Sequence, residues 1–167
     1  MSETIQIGRM IAAEAESVAT VIRHEISAVS YYSAEARQAE FEKHSAELLQ
    51  AMIQDDPDSV LIARAGVTTI GFCVSYRDDG PIWLAWFGVV ANWRRRGVGR
   101  ALLNALEATV HPRGCHKIWC DCRTNNLESK ATLERCGYRM LCEVHNHWYG
   151  HDYFLWEKPV AFRGDVR

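Results

Sequence analysis

The chain has 167 residues, of which 48% are hydrophobic and 24% are charged, and this ordinary globular balance excludes a disordered or low-complexity chain. Its 19 basic and 21 acidic side chains give a net charge of -2, which argues against a polycation made for nucleic acid. The longest apolar run, Ile82 to Ala91, is about half as long as a bilayer-spanning helix. We therefore expect one domain, residues 1–167, that binds neither nucleic acid nor a membrane.

Hydrophobic periodicity divides the chain into alternating strands and helices. In chain order it predicts strand Thr4 to Met10, helices Ala12 to Ile26 and Ser33 to Gln54, strands Val60 to Ala65, Thr68 to Arg77 and Ile82 to Val90, helix Gly97 to Val110, strand Lys117 to Arg123, helix Asn126 to Cys136, and strands Arg139 to His145 and His151 to Pro159. The almost wholly apolar strand Ile82 to Val90 is expected to be central and covered on both faces. The order β-α-α-β-β-β-α-β-α-β-β indicates an α/β fold of the α+β type, with a mixed, mostly antiparallel sheet flanked by helices.

Six cysteines and a first segment without a signal peptide predict a cytoplasmic protein with free thiols. A zinc site made from Cys120, Cys122, His145 and His147 is an alternative, because each pair shares one face if it lies on a strand. Structural zinc sites usually show tighter paired spacing, and a buried free cysteine behaves as a small hydrophobe. We therefore predict no metal.

The loop after the apolar strand carries the clearest chemical signal. Four arginines and two glycines, at Arg94, Arg95, Arg96, Arg100, Gly97 and Gly99, lie between that strand and an amphipathic helix. The amides at a helix start have no partner within the helix and attract anions, and glycine lets a ligand approach them closely. The pattern therefore predicts a phosphate or pyrophosphate site, with a solvated basic face as the alternative.

Two other phosphate-binding patterns fit this loop less well. A P-loop needs Lys-Ser/Thr after its glycines, which is missing here. A dinucleotide-binding fold needs a third glycine where Leu102 stands, and antiparallel hairpins do not suit its doubly wound sheet. Asp121 does lie about 20 residues further on, as a ribose ligand would, so this alternative stays open.

The sequence Arg94-x-x-Gly97-x-Gly99, followed by Arg-Ala-Leu-Leu, closely resembles the coenzyme A pyrophosphate loop of the GNAT superfamily of acyl-CoA N-acyltransferases. The preceding Val89-x-Ala91-x-Trp93-Arg94 is similar to that family's Val-x-Pro-x-Tyr-Arg, with alanine in place of proline. A second family signature is matched by Asn126-x-x-Ser129 and Leu133-Glu134-Arg135-Cys136-Gly137-Tyr138. The resemblance is strong from Ile82 to Tyr138 and, through the element order, extends over nearly the whole chain.

This resemblance implies a sheet that splays open between Ile82–Val90 and Lys117–Arg123, with the pantetheine arm of acetyl-CoA in the gap. The family's cofactor-binding positions correspond here to Phe87, Val89, Arg94, Arg95, Arg96, Gly97, Val98, Gly99, Arg100, Asn126 and Ser129. Of these, the amides from Arg94 to Arg100 would hold the pyrophosphate, and Phe87 and Val89 would pair with the arm. A backbone N–H near Val89 would stabilise the oxyanion. Asn126 would bind the arm or order the adjacent turn.

The family pattern is broken at Leu133, where many relatives carry a tyrosine as general acid. The motif match implies that the Leu133 side chain points toward the coenzyme A sulfur. In its place we consider Tyr149, His147 and Asp121 as catalytic candidates, with Glu25 as a further base. Tyr31, Tyr32 and Trp148 lie in segments that form the acceptor wall in this family, and we predict that they bind the substrate. The alternative for these aromatic residues is core packing or a dimer contact.

The resemblance therefore implies an N-acetyltransferase that moves acetyl from acetyl-CoA to a primary amine by direct attack in a ternary complex. The acceptor would be a small-molecule or peptide amine, and a homodimer stays open. The alternative is a catalytically weak acyl-CoA-binding or regulatory module of the same fold, which the leucine at position 133 favours.

Overall fold

A computed structural model describes residues 4–161, so the ends of the predicted domain, residues 1–3 and 162–167, lie outside the described residues. The strands are β1 Ile5–Arg9, β2 Val60–Ala65, β3 Thr68–Arg77, β4 Pro81–Val89, β5 Lys117–Arg123, β6 Arg139–Val144 and β7 Tyr153–Pro159. The α-helices are α1 Ala15–Ser27, α2 Ala34–Lys43, α3 Ala46–Asp55, α4 Val98–Thr109 and α5 Leu127–Arg135. Short 3-10 turns lie at Ala12–Glu14, Ala91–Trp93 and Trp148–Gly150.

The seven strands form one mixed sheet in the order β1-β2-β3-β4-β5-β7-β6, which confirms the predicted fold class. Among the described strands only β4 and β5 are parallel, and their pairing stops at Trp83 and Trp119. Just beyond that point Trp86 pairs with Val74 and Leu84 with the next residue of β3, so Ala85 is an extra residue in β4. Such a bulge bends a strand and increases its twist. β4 therefore turns away from β5 and leaves the sheet open between them.

The helix predicted from Ser33 to Gln54 is wrong in one respect, because the structure has two helices there. The chain breaks at His44, which has φ -121° and ψ 31°. Ser45 then begins α3 by accepting a hydrogen bond from the Leu48 amide, as Ser33 does for Ala36 at the start of α2. A serine side chain that satisfies a free amide stabilises a new helix start. The other elements differ from the prediction only by a few residues at their ends.

The sheet separates two hydrophobic cores. Helix α4 covers one face, where its leucines pack with Ile82, Leu84, Ile118 and the buried Cys120 and Cys122. Helices α1 and α3 cover the other face, where Phe72 is fully buried and Trp86 packs at its margin. In β4 only Ile82 and Leu84, which share one face, are buried, and the rest of the strand is half-buried. The prediction that this strand is covered on both faces is therefore wrong.

Candidate functional site

A cleft of about 710 Å³ lies against the second half of β4, the start of α4 and one face of α5. Most of the predicted cofactor residues line it, namely Phe87, Val89, Arg94, Arg95, Gly97, Gly99, Arg100, Asn126 and Ser129, together with the predicted acceptor residue Tyr31. The side chains of Arg96 and Val98 do not. The Arg96 guanidinium lies over the Trp93 ring at 5.0 Å, and Val98 is buried in the core. These two residues can offer the cleft only their backbone amides.

The start of α4 presents unpaired amides to this cleft. Gly97 is the helix N-cap, with φ +83°, and as a glycine it has no side chain that could bind the free amides. The amides of the first helical turn, Val98 to Arg100, have no carbonyl four residues earlier in the helix to bind. They carry the partial positive charge of the helix dipole, and the Arg95 and Arg100 side chains line the same cleft. This end of the cleft, called the anion site below, therefore has the geometry and charge that suit a negatively charged ligand.

Arg94 connects this loop to the end of α1. Its Nε donates to the Val89 carbonyl at 2.9 Å, and its Nη2 donates to Glu25 Oε2 at 2.7 Å. The Glu25 side chain is only 5% exposed, so it depends on this charged partner. Glu25, a further candidate base, is paired with Arg94 in the structure. The Arg94–Glu25 pair therefore links the end of α1, which lines the cleft, to the loop that precedes α4.

We expect Arg94→Met to lower the free energy of unfolding by about 1–3 kcal/mol, because it leaves the buried Glu25 carboxylate without its arginine. Urea unfolding measures this loss, and adding Glu25→Gln should recover part of it. Arg96→Met is the matched control, since this exposed side chain only stacks on Trp93, and it should change stability by less than about 0.5 kcal/mol. Equal effects of Arg94→Met and Arg96→Met would show that the Arg94–Glu25 pair does not stabilise the fold.

Asn126 orders the turn that leads into α5. Its Oδ1 accepts a hydrogen bond from the Ser129 amide at 3.1 Å, and its Nδ2 donates to the Tyr31 hydroxyl at 3.4 Å. The Arg123 guanidinium lies 4.2 Å from the centre of the Tyr31 ring. Asn126 thus joins the segment between α1 and α2 to the cleft-lining helix.

Leu133 does not point into the cleft. It is 1% exposed and belongs to the core beneath α4, whereas its neighbours Ser129, Thr132 and Cys136 line the cleft. The expectation that this side chain faces the coenzyme A sulfur is therefore wrong. Compared with relatives that carry a tyrosine at this position, the protein lacks one candidate acid and has a core residue in its place.

We expect Leu133→Tyr to lower the free energy of unfolding by about 1–3 kcal/mol, because the larger ring must enter a filled core. Leu127→Tyr is the matched control on the same helix, where the leucine is 70% exposed, and it should be nearly neutral. Denaturant unfolding of both variants gives the comparison. An unchanged stability of Leu133→Tyr would show that the helix can turn this position toward the cleft.

The catalytic candidates Asp121 and His147 come together beyond the last β4–β5 pair. Trp148 Nε1 donates to Asp121 Oδ2 at 2.8 Å, and His147 Nε2 lies 3.9 Å from the same oxygen. Burial raises the pKa of Asp121, while the Trp148 hydrogen bond and the His147 charge oppose this shift and the Glu40 charge adds to it. Asp121 is thus a carboxyl that keeps its proton to a higher pH than an exposed aspartate.

Tyr149 lies next to this group, in the turn between β6 and β7. Its backbone is left-handed, at φ +56° and ψ +28°, which costs energy for a residue with a side chain. Its hydroxyl donates to Glu40 Oε1 at 3.2 Å, and its ring packs edge-on against Tyr32. Burial and the nearby Glu40 charge both raise the pKa of Tyr149. The predicted acceptor residues Tyr32 and Trp148 thus lie with the catalytic candidates in one aromatic group.

Glu40 contacts this aromatic group through Tyr149, and sequence reasoning missed it. It lies on α2 with a side chain that is 9% exposed, and Lys43 Nζ donates to it at 2.9 Å. Nothing in the sequence distinguishes it from the other glutamates of α2. The break between α2 and α3, together with the β6–β7 turn, brings it to Tyr149.

No helix within residues 4–161 is long and apolar enough to cross a bilayer.

The sequence model of the Acetyltransferase (GNAT) family matches residues 25–138 of this chain. An aminoglycoside N(6')-acetyltransferase type 1 from Stenotrophomonas maltophilia is 29% identical over 101 residues, which is 55% of this chain and 66% of that protein. The chain therefore spans about two thirds of that relative's length.

Two solved structures share the fold. The PaiA N-acetyltransferase of Thermoplasma acidophilum in complex with coenzyme A has a TM-score of 0.78 at 21% identity, covering 93% of this chain and 99% of that one. YncA of Salmonella typhimurium, solved with its cofactor acetyl-CoA, has a TM-score of 0.77 at 13% identity, covering 96% of each chain. The open sheet, the anion site at α4 and the match of the family's sequence model over most of the chain agree, and the protein belongs to the acetyltransferase (GNAT) family.

Proposed function

We propose that this protein transfers acetyl from acetyl-CoA to a primary amine by direct attack in a ternary complex. The observation that carries the proposal is the cleft itself. Its anion site at the start of α4 and its open β4 edge suit a pyrophosphate with a long amide-bearing arm. The two structural neighbours described with coenzyme A or acetyl-CoA support the same cofactor here.

The backbone of β4 can pair with the arm of the cofactor. Val90 N–H donates to the Ile70 carbonyl of β3. Because backbone groups alternate along a strand, those of Val89 and Phe87 face away from β3, toward the cleft. Arg94 Nε already donates a hydrogen bond to the Val89 carbonyl. The Val89 N–H is then the backbone group that can donate to the oxyanion that forms on the thioester.

The reaction needs a proton acceptor and a proton donor. As the amine nitrogen attacks, the new N–C bond forms, the C–S bond breaks and the sulfur leaves as a thiolate. The amine's proton passes to the Asp121 and His147 pair, and the Tyr149 hydroxyl protonates the thiolate. Holding the amine and the thioester together in one cleft supplies much of the acceleration.

Initial-rate kinetics with varied acetyl-CoA and varied amine tests direct attack. A ternary complex gives intersecting double-reciprocal lines, and no acetylated protein appears in a mass spectrum of the enzyme with acetyl-CoA alone. Parallel lines together with an acetylated residue would overturn the mechanism and indicate a covalent intermediate. Cys136, the cysteine that lines the cleft, would be the first residue to examine.

Tyr149→Phe should lower kcat by up to about 10²-fold, because phenylalanine keeps the ring but cannot donate a proton. The change leaves the packing on Tyr32 and the left-handed backbone in place, so the melting temperature provides the control for folding. The measurement is steady-state kinetics on an active amine. An unchanged kcat with a rate-limiting chemical step would remove Tyr149 from the mechanism.

A further inference from the structure

The segment 28–32 between α1 and α2 reaches across the opening between β4 and β5. Before it, Glu25 at the end of α1 is bound by Arg94, which follows β4, at 2.7 Å. Near its end, Tyr31 contacts Arg123, the last residue of β5. Residues 28–31 line the cofactor cleft between these two contacts. The segment is therefore one wall of the cleft, and both sides of the opening hold it.

Arg123 holds Tyr31 by its backbone and by its ring. Its Nη1 donates to the Tyr31 carbonyl at 3.3 Å, and its guanidinium carbon lies 4.2 Å from the centre of the Tyr31 ring. Among residues 4–161, the guanidinium makes no other hydrogen bond, and no carboxylate lies within ion-pair distance of it. A half-buried cation needs polar or aromatic partners. Tyr31 supplies both kinds, so the contacts of Arg123 point to Tyr31 as the residue through which it acts.

A row of three packed rings joins Tyr31 to the turn between β6 and β7. The ring centres of Tyr31 and Tyr32 are 5.3 Å apart with the rings at 87°, and those of Tyr32 and Tyr149 are 6.2 Å apart. Edge-to-face pairs of this kind have a preferred geometry, and closely packed side chains transmit a displacement to their neighbours. The position of Tyr31 therefore affects that of Tyr149, the proton donor proposed above.

Arg123 also lies beside the proposed proton acceptor. It follows Asp121 by two residues on β5, so the two side chains share one face of the sheet. Asp121 accepts the hydrogen bond of Trp148 from the β6–β7 turn, whereas Arg123 contacts Tyr31 at the wall of the cleft. Arg123 thus lies between the cofactor cleft and the group that contains the catalytic candidates.

We propose that Arg123 is a positioning residue for acetyl transfer. It fixes the row Tyr31–Tyr32–Tyr149 and, with it, the wall between the cofactor and the acceptor amine. The inference rests on the proposed function and adds a residue that acts on the reaction through Tyr31. The cofactor itself is held by the start of α4 and by β4, and Arg123 does not line that cleft. Loss of Arg123 should therefore misplace the reacting groups while the cofactor still binds.

The first test separates turnover from cofactor binding. Arg123→Met keeps much of the side chain without its charge, and it should lower kcat with an active amine about tenfold. The Kd of coenzyme A, measured by calorimetry, should change by less than about threefold. Arg123→Lys should recover part of the rate, because its ammonium can still reach the Tyr31 carbonyl. The matched control is Arg23→Met: Arg23 lies over the Phe41 ring at 4.6 Å, between α1 and α2 but away from the cleft, and its loss should leave kcat unchanged.

A double variant tests whether Arg123 acts through Tyr31. Tyr31→Leu should lower kcat at least as much as Arg123→Met, because it removes the ring that the guanidinium holds. The variant with both changes should be no slower than Tyr31→Leu alone, since two residues that act as one unit are not additive. A fall equal to the product of the two separate effects would show that Arg123 acts by another route and would overturn the proposal.

Proteolysis adds a readout that does not depend on turnover. Chymotrypsin cleaves after tyrosine, and its cleavage after Tyr31 or Tyr32 should be about tenfold faster in Arg123→Met than in the wild type or in Arg23→Met, because the segment opens more often. An unchanged kcat or unchanged cleavage in Arg123→Met, or a coenzyme A affinity that falls as much as kcat, would overturn the proposal and leave acetyl transfer standing. Faster cleavage with no acetylation of any amine by the wild type would instead overturn the proposed function, and with it the role of Arg123 in the reaction.

Discussion

Gly99→Glu should abolish coenzyme A binding without weakening the fold. A Cβ atom at position 99 would lie 3.7 Å from Val89 Cγ2 and 4.0 Å from Thr132 Cγ2, so the side chain fits but projects between the walls of the cleft. Position 99 lies in the first turn of α4, where a carboxylate favours the helix dipole. Replacing a helical glycine also gains roughly 0.5–1 kcal/mol. The glutamate would therefore repel a pyrophosphate from a helix that is as stable as before.

Thermal unfolding with and without coenzyme A measures this effect. At a 100-fold excess over Kd, the wild-type melting temperature should rise by about 5–10 °C, since a ligand of the folded state stabilises it. The rise should vanish in Gly99→Glu. Gly99→Ala, which adds the Cβ without the charge, should keep part of it. A full rise in Gly99→Glu would show that the pyrophosphate binds elsewhere.

Asp121→Asn should lower kcat by about 10²-fold and stabilise the protein at neutral pH. The asparagine oxygen still accepts the Trp148 hydrogen bond, so the change removes the charge and little else. The pKa of Asp121 is raised in the folded protein, so the wild-type protein loses stability as the pH rises through that pKa. The variant should therefore be more stable than the wild type at pH 7 and equal to it below about pH 4, where the carboxyl is protonated in both states.

The pH profile of activity separates this role from a structural one. If Asp121 accepts the proton, the wild-type rate rises with pH through a pKa above that of an ordinary aspartate, and Asp121→Asn loses this rise. Asp79→Asn is the control, because Asp79 is exposed on a turn with φ +48°, which asparagine tolerates. A variant that is both less active and less stable at pH 7 would instead point to a structural carboxylate.

The structural features of the candidate site that the sequence predicts correctly, the starts of α4 and α5, are local. The glycines and arginines of 94–100 precede an amphipathic helix, and the chemistry of a helix start depends on a few consecutive residues. The same is true of Asn126, which caps α5 three residues before Ser129. Such features follow from short-range hydrogen bonding and need no knowledge of the rest of the fold.

The features that the sequence did not predict depend on distant contacts. The bulge at Ala85, which turns β4 from a core strand into the wall of a cleft, follows from its pairing with β3. The repeated Ser-Ala-Glu at Ser33 and Ser45 was a signal for two helix starts, but the continuous helix-forming composition concealed it. Glu40 needs a helix and a turn more than a hundred residues apart to reach Tyr149.

The most direct test of acetyl transfer counts both products of one reaction. The protein is incubated with acetyl-CoA and a panel of primary amines, free thiol is measured with a thiol reagent, and the acetylated amine is measured by mass spectrometry. The two products should form in equal amounts with the wild-type protein and should not form with Gly99→Glu. Tight coenzyme A binding with no acetylated product from any amine of the panel would contradict the account and identify a cofactor-binding module without turnover.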